Sequence, residues 1–209
     1  MHDETVQKMI QKVKEKEQEL KERQADLRKI LAKYEPKLNS NHAFCNTSKH
    51  RHFKIKDDGK TITYEADSQS SVLGKQLLHK KGKNSFNMQI DEHHNKITLG
   101  VATRKHDINA LCGSDDLSWG FNVSEGKKIH NGEVEEGYGR RVHEGEKVTV
   151  TLDREHGTLS LAINGEDVGV GFEDEKLKTL KLHPCLSTEV VFEAKFLDGF
   201  PVQAEITNY

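Results

Sequence analysis

His183, Pro184 and Cys185 place a base and a nucleophile two residues apart, and His50 and His52 repeat that spacing with two imidazoles. Residues i and i+2 of a strand share a face, so the first pair could act as a thiol with its general base and the second as two ligands of a metal. Neither set is complete. His183 and Cys185 lie in a core-like strand motif without an oxyanion device, and no Cys or carboxylate group completes a site around His50, His52 or the adjacent His93 and His94. Core packing and surface histidines are the expected roles, so no catalytic residue, metal or cofactor is expected. Gly126, Gly132, Gly137 and Gly139 are too scattered for a phosphate-cradling loop between a strand and a helix. Cys45, Cys112 and Cys185, odd in number and widely spaced, fit reduced thiols better than a disulfide framework or a zinc site.

The bulk composition narrows the partners. With 32 Lys and Arg against 34 Asp and Glu, net charge −2, the chain offers no global field to nucleic acid or anionic lipid. No apolar run approaches the roughly 18–20 residues that span a bilayer, and the N-terminus is charged rather than signal-like. A soluble cytoplasmic protein is expected, with no nucleic-acid or membrane partner. At 33% hydrophobic and 32% charged, the 209 residues can bury one good core but must leave some segment solvated.

That segment is the N-terminus. Thr5 to Tyr34 holds no Gly or Pro and is rich in Lys, Glu, Gln, Arg and Leu, which favours one long helix. Val6, Val13, Leu20, Leu27 and Tyr34 recur every seven residues, and Ile10 and Leu31 fall at the complementary heptad position with Glu17 and Gln24. The pattern predicts a coiled-coil seam with a polar middle, joined to itself or to another helix; a solvated helix, or one folded onto its own domain, is the alternative. Asp3 or Thr5 is placed to cap the start, and Pro36 stops the helix. Residues 1–38 form this helical segment, and 39–209 a second domain.

From Asn39 the pattern changes to short alternating strands. Val148, Val150 and Leu152, then Leu159, Leu161 and Ile163, put every second side chain on one face. The two runs meet at Glu155-His156-Gly157, and the second turns back at Asn164-Gly165, whose residues accept the positive φ of a primed hairpin turn. Further strands are expected at 53–56, 61–64, 84–91, 96–103, 118–122, 168–172, 180–187 and 190–196, with 202–206 able to close an edge. Asp58-Gly59 and His94-Asn95 are the expected early turns. No long helix interrupts the series, so the fold class is all-β: an antiparallel β-sandwich preceded by one long α-helix.

Ile97 to Thr103 (ITLGVAT), Gly113 to Asn122 (GSDDLSWGFN), Lys128 to Gly132 (KIHNG), the Val150 to Phe172 meander and Leu182 to Ser187 (LHPCLS) together resemble a SPRY domain over about Phe44 to Phe200. Within that family, Asn109 to Asn122 is more similar to the SPRY domain and SOCS box adaptors than to the TRIM ligases. The resemblance implies a bent sandwich of two antiparallel sheets, concanavalin-like, whose loops at one end recognise protein, and it implies no catalytic centre. By motif, Ile108, Leu111, Gly113 and Ser114 match the family's peptide-contacting segment, where a backbone held by Gly could pair with an extended ligand. Asp115 and Asp116 add acceptors; a solvated turn is the plainer role.

The departures limit what carries over. Phe86 stands where many relatives have an aromatic pair, and Thr188, Glu189, Val190 and Val191 stand where adaptor relatives show an exposed Trp-Gly. Tyr64 to Ser71 lacks their basic, Pro-containing first recognition loop, so their peptide specificity does not transfer. No SOCS box follows Tyr209 and no RING or B-box cysteines precede the helix, so no direct recruitment of ubiquitin machinery is expected. Trp119 is expected in the core, although its indole could anchor a ligand. Arg104-Lys105 and Arg140-Arg141 could lend a loop face positive charge.

The sequence thus predicts a noncatalytic adaptor. Ile108, Leu111, Gly113, Ser114, Asp115, Thr188, Glu189 and Val190 form its partner-binding candidates, and the N-terminal coil its assembly element. A structural part of a cytoskeletal or ciliary complex is the competing reading. Glycan binding rests on architecture alone.

Overall fold

The computed structural model describes residues 9, 11–23, 26, 42–93 and 96–197. The chain divides into two units, Met1–Asn39 and Ser40–Tyr209. In the first, residues 11–23 form a helix, α1. Side chains one turn apart support it: Gln11 donates to Glu15 at 3.1 Å, Gln18 to Glu22 at 3.0 Å, and Lys16 and Arg23 both reach Glu19, at 3.1 and 3.5 Å. Of the heptad residues, Val13 and Leu20 lie on α1 and are exposed, at 57% and 61%. Val6, Ile10, Leu27, Leu31 and Tyr34 lie outside the described residues, as do the expected caps and Pro36.

The second unit is built of strands β1 (Phe44–Lys49), β2 (Phe53–Lys56), β3 (Thr61–Tyr64), β4 (Ser70–Gly74), β5 (Lys83–His93), β6 (Ile97–Ala102) and β7 (Ser118–Asn122). There follow β8 (Lys127–His130), β9 (Glu133–Glu135), β10 (Lys147–Asp153), β11 (Thr158–Ile163) and β12 (Glu166–Glu173). A one-turn helix, α2 (Lys176–Thr179), precedes β13 (His183–Thr188) and β14 (Phe192–Leu197). One sheet has the order β1-β4-β13-β6-β7-β8-β9 and the other β12-β11-β10-β5-β14-β3-β2, so the architecture is a sandwich of two antiparallel seven-stranded sheets. A single apolar core lies between them. Val72, Leu99, Val101, Trp119, Phe121 and Leu186 come from the first sheet, and Ile62, Phe86, Met88, Val150 and Leu161 are among those from the second.

The central meander follows the alternation read from the sequence. Val148 pairs with Ile163, Val150 with Leu161 and Leu152 with Leu159, and all six side chains enter the core. The Asp153 carboxylate closes the first turn by accepting from the amides of Glu155 and His156 at 2.9 and 3.2 Å. Asn164 and Gly165 take φ of 52° and 86°, the primed turn. Phe86 is buried at the site expected of it, edge-on to Phe196.

Four strands were not expected. In β4 every residue is buried on both faces, so Ser-Ser-Val-Leu-Gly shows no alternation. β1 buries only Phe44 and Cys45 before a polar stretch, and β8 and β9 are short and largely polar, β9 being an exposed edge. The start of the expected 180–187 strand differs as well. Leu180 instead closes α2, because the buried Arg154 guanidinium donates to the carbonyls of Leu177, Leu180 and His79 at 2.6, 2.8 and 3.0 Å. The expected turn at 94–95 and the closing strand at 202–206 lie outside the described residues. No helix among the described residues is long and apolar enough to cross a membrane.

Candidate protein-recognition surface

Strand alternation gives the first sheet an outward face made mostly of small residues, with Leu73 the large exception. Leu73, Cys185, Gly100 and Gly120 form one cross-strand row on it, and Ser71, Ser187 and Thr98 another. The β6–β7 loop, residues 103–117, lies across this face. Cys112 plugs into it beside Leu73, Ala102 and Cys185, forming a second, smaller apolar cluster. Burial pushes the Cys112 thiol well above its ordinary range, with Cys185 adding to the shift. A β-carbon at Gly120 would collide with the Cys112 carbonyl, so the smallness of that residue lets the loop lie so close.

Three serines from three strands fasten the loop. Ser71 of β4 donates to the Ala110 carbonyl at 2.5 Å, Ser187 of β13 accepts from the Cys112 amide at 2.9 Å, and Ser118 of β7 accepts from the Gly113 amide at 2.8 Å. The β8–β9 turn holds the far side, Asn131 N–H donating to the Asp115 carbonyl and Gly132 N–H to the Gly113 carbonyl. Inside the loop, the Asp115 carboxylate accepts from the Leu117 amide at 3.1 Å, the Ser118 hydroxyl at 2.5 Å and His106 Nδ1 at 2.8 Å. Burial raises the Asp115 carboxyl, but the Ser118 hydroxyl and His106 outweigh it and hold the group below its ordinary range.

His106 Nε2 in turn meets Ser71 Oγ at 3.2 Å. The order serine, histidine, aspartate resembles a hydrolytic triad, but Ser71 is wholly buried and gives its proton to a backbone carbonyl. The chemistry of this set is that of a clasp joining β4 to the loop. His106 and Ser71 escaped the sequence reading because nothing in their spacing distinguishes one His among 12.

The expected binding residues divide accordingly. Ile108 and Leu111 are half-buried and Ser114 is exposed. Gly113 is buried at φ 95°, with both backbone groups engaged within the fold. The carbonyls of Ile108 and Leu111 are also taken, by the amides of Ser71 and Ser114. What the loop turns outward is therefore largely side chain. Thr188 is wholly buried and accepts from the Val190 amide at 3.1 Å, while Glu189 pairs with Lys96 at 2.7 Å. Ser71, bonded to Ile108 and paired with Ser187, brings this second segment to the same end of the sheet as Ile108.

Trp119 is buried in the core, its indole N–H donating to Asp174 at 3.2 Å and its ring stacked on His130 at 4.7 Å. His183 is buried with Nδ1 between the carbonyls of Gly74 and Gln76, and Cys185 belongs to the small outer cluster. The His50 and His52 rings lie edge-on at 4.7 Å, and among the described residues no His, Cys, Asp or Glu group of three or more is arranged to hold a metal. Arg104 donates to Ser48 at 2.7 Å, and Arg140 is engaged by both oxygens of Glu146, each at 2.7 Å.

Comparison with known proteins agrees with this architecture. The family model described as SPRY domain matches residues 83–197. F-box/SPRY domain-containing protein 1 of Drosophila melanogaster is 30% identical over 195 residues, covering 84% of this chain and 76% of that protein. The same protein of Drosophila virilis is also 30% identical, covering 84% and 77%. Among solved structures, the SPRY domain of human HERC1 aligns with a TM-score of 0.64 at 22% identity, over 74% of this chain and 97% of that one. The TRIM65 PSpry domain aligns at 0.62 and 20%, over 76% and 93%. Sharing this two-sheet topology and the matched sequence, the chain belongs to the SPRY domain family, whose members act in protein–protein interaction.

Proposed function

We propose that this chain is a noncatalytic adaptor: the loop over residues 103–117 grips a protein segment, and the N-terminal helix joins the domain to a larger assembly. One observation carries the reading. Ile108 and Leu111 present apolar side chains on a loop whose backbone is fastened to the sheet beneath at Ala110, Cys112 and Gly113. Such a loop offers a preorganised surface and loses little entropy on binding. Glu189 and Val190 extend the surface along the same end, positioned by the buried Thr188 beneath them. Three free, buried cysteines support a reducing compartment such as the cytoplasm as its setting.

The helix adds assembly. When two modest sites are linked through a coil, the second engagement is intramolecular, and avidity exceeds single-site affinity by ~10² or more. The test is Leu111→Asp in the full chain. Loss of partner capture with an unchanged melting temperature supports the reading, whereas unchanged capture removes the loop from it. Deleting Met1 to Glu35 should leave the melting transition of the sandwich intact and remove the chain from the larger complexes it forms in native extract, read as a shift to lower mass on size exclusion.

A further inference from the structure

We propose that α1 pairs with an acidic helix rather than with a second copy of itself, an inference that rests on the coil reading above. Val13 and Leu20 mark the apolar seam, with Glu17 at the complementary position between them. Lys14, Lys16, Lys21 and Arg23 occupy all four positions that flank this stretch of seam, and all four are exposed. The acids Glu15, Glu19 and Glu22 lie on the far side of the helix. The charge is therefore sorted by face, although the helix carries both signs.

Flanking charges decide which coil a helix enters. In a parallel pair of identical helices each flank meets the opposite flank of its partner, and in an antiparallel pair it meets its own counterpart. Across 13–23 either arrangement sets basic residues against basic residues, and each such contact disfavours the pair. Glu19 draws Lys16 and Arg23 partly toward the far side, at 3.1 and 3.5 Å. Lys14 and Lys21 make no ion pair among the described residues, so one flank is wholly uncompensated. A partner with Glu or Asp along its flanks converts each of these contacts to attraction.

An anionic lipid surface also attracts basic amphipathic helices. The seam argues against it, because Glu17 interrupts the apolar stripe and would enter the membrane interface beside Val13 and Leu20. In a coil, a polar residue at that heptad position can meet a polar or basic residue across the seam.

The experiment uses the full chain with two four-heptad helical peptides sharing one apolar seam, a Lys opposite Glu17, and either Glu or Lys at every flanking position. Phosphatidylcholine vesicles with and without phosphatidylserine form a third arm. The proposal expects a monomer in sedimentation velocity and binding of the Glu-flanked peptide roughly tenfold or more above the Lys-flanked one. That preference weakens with salt and reverses in the fourfold variant K14E/K16E/K21E/R23E. Self-association of the full chain that survives the fourfold charge reversal overturns the acidic partner and leaves the coil standing. Equal binding of the two peptides overturns it too. Binding to phosphatidylserine vesicles without binding to the Glu-flanked peptide replaces the helical partner with a lipid surface. A monomeric chain that binds neither peptide nor vesicles removes the coil reading itself.

Discussion

His106 Nδ1 and Asp115 Oδ2 stand 2.8 Å apart across the base of the β6–β7 loop, and His106 continues the contact to Ser71 of β4. A carboxylate only accepts hydrogen bonds, so Nδ1 is the donor in this contact. Asp115→Asn keeps one carbonyl oxygen but turns an amide toward that donor or toward Ser118. The expected loss is about 1–3 kcal/mol of stability, with faster amide exchange across residues 106–117 and a weaker hold on partner. Hydrogen exchange read by mass spectrometry, set beside thermal melts, checks both. Unchanged exchange in the loop means the serines hold it without the clasp.

Gly113 sits at φ 95°, and a β-carbon there would collide with the Ile129 carbonyl. Gly113→Ala combines backbone strain with a clash against a strand that has little room to retreat. It should cost about 2–4 kcal/mol. The loss should appear in denaturant midpoints, whereas Ser114→Ala, one residue further on at an exposed position, should shift them little.

Acid should release a different fastening. Arg140 holds the Glu146 carboxyl down to about 2 from an ordinary 4.5, against the opposing effect of burial and with help from the His143 amide. Because the folded value is depressed, the stabilisation is complete above pH 4.5 and is lost as pH falls from 4.5 toward 2. Carbon NMR of the side-chain carboxyls should show Glu146 titrating near the bottom of that window. In Glu146→Gln, stability should fall less steeply across it. A Glu146 carboxyl that titrates at its ordinary value contradicts the assignment.

The sandwich was legible where one face is buried and the other is not. Thr158–Ile163 alternates, so β11 could be read from its residues alone. β4 could not, because the loop from 103 to 117 buries its outer face and removes the alternation. The loop proposed for recognition was legible only through family motif, and the residues that fasten it were not. Ser71, Ser187 and Ser118 each read as an ordinary polar strand residue, and their role depends on the register that brings β4, β13 and β7 side by side beneath one loop. Gly113 was read as an element of ligand contact, and its burial against Ile129 depends on a hairpin that had not been expected.

The most direct test of the recognition surface places a photo-crosslinking benzoylphenylalanine at one position of the full chain in native extract. Leu111, on the loop, is compared with Lys54, an exposed residue of β2 in the opposite sheet. The account predicts discrete protein adducts from position 111 that are absent at 54, with the crosslinked partner the same when Ile108 carries the probe. Adducts from 54 and none from 108 or 111 would contradict it, moving recognition to the other sheet.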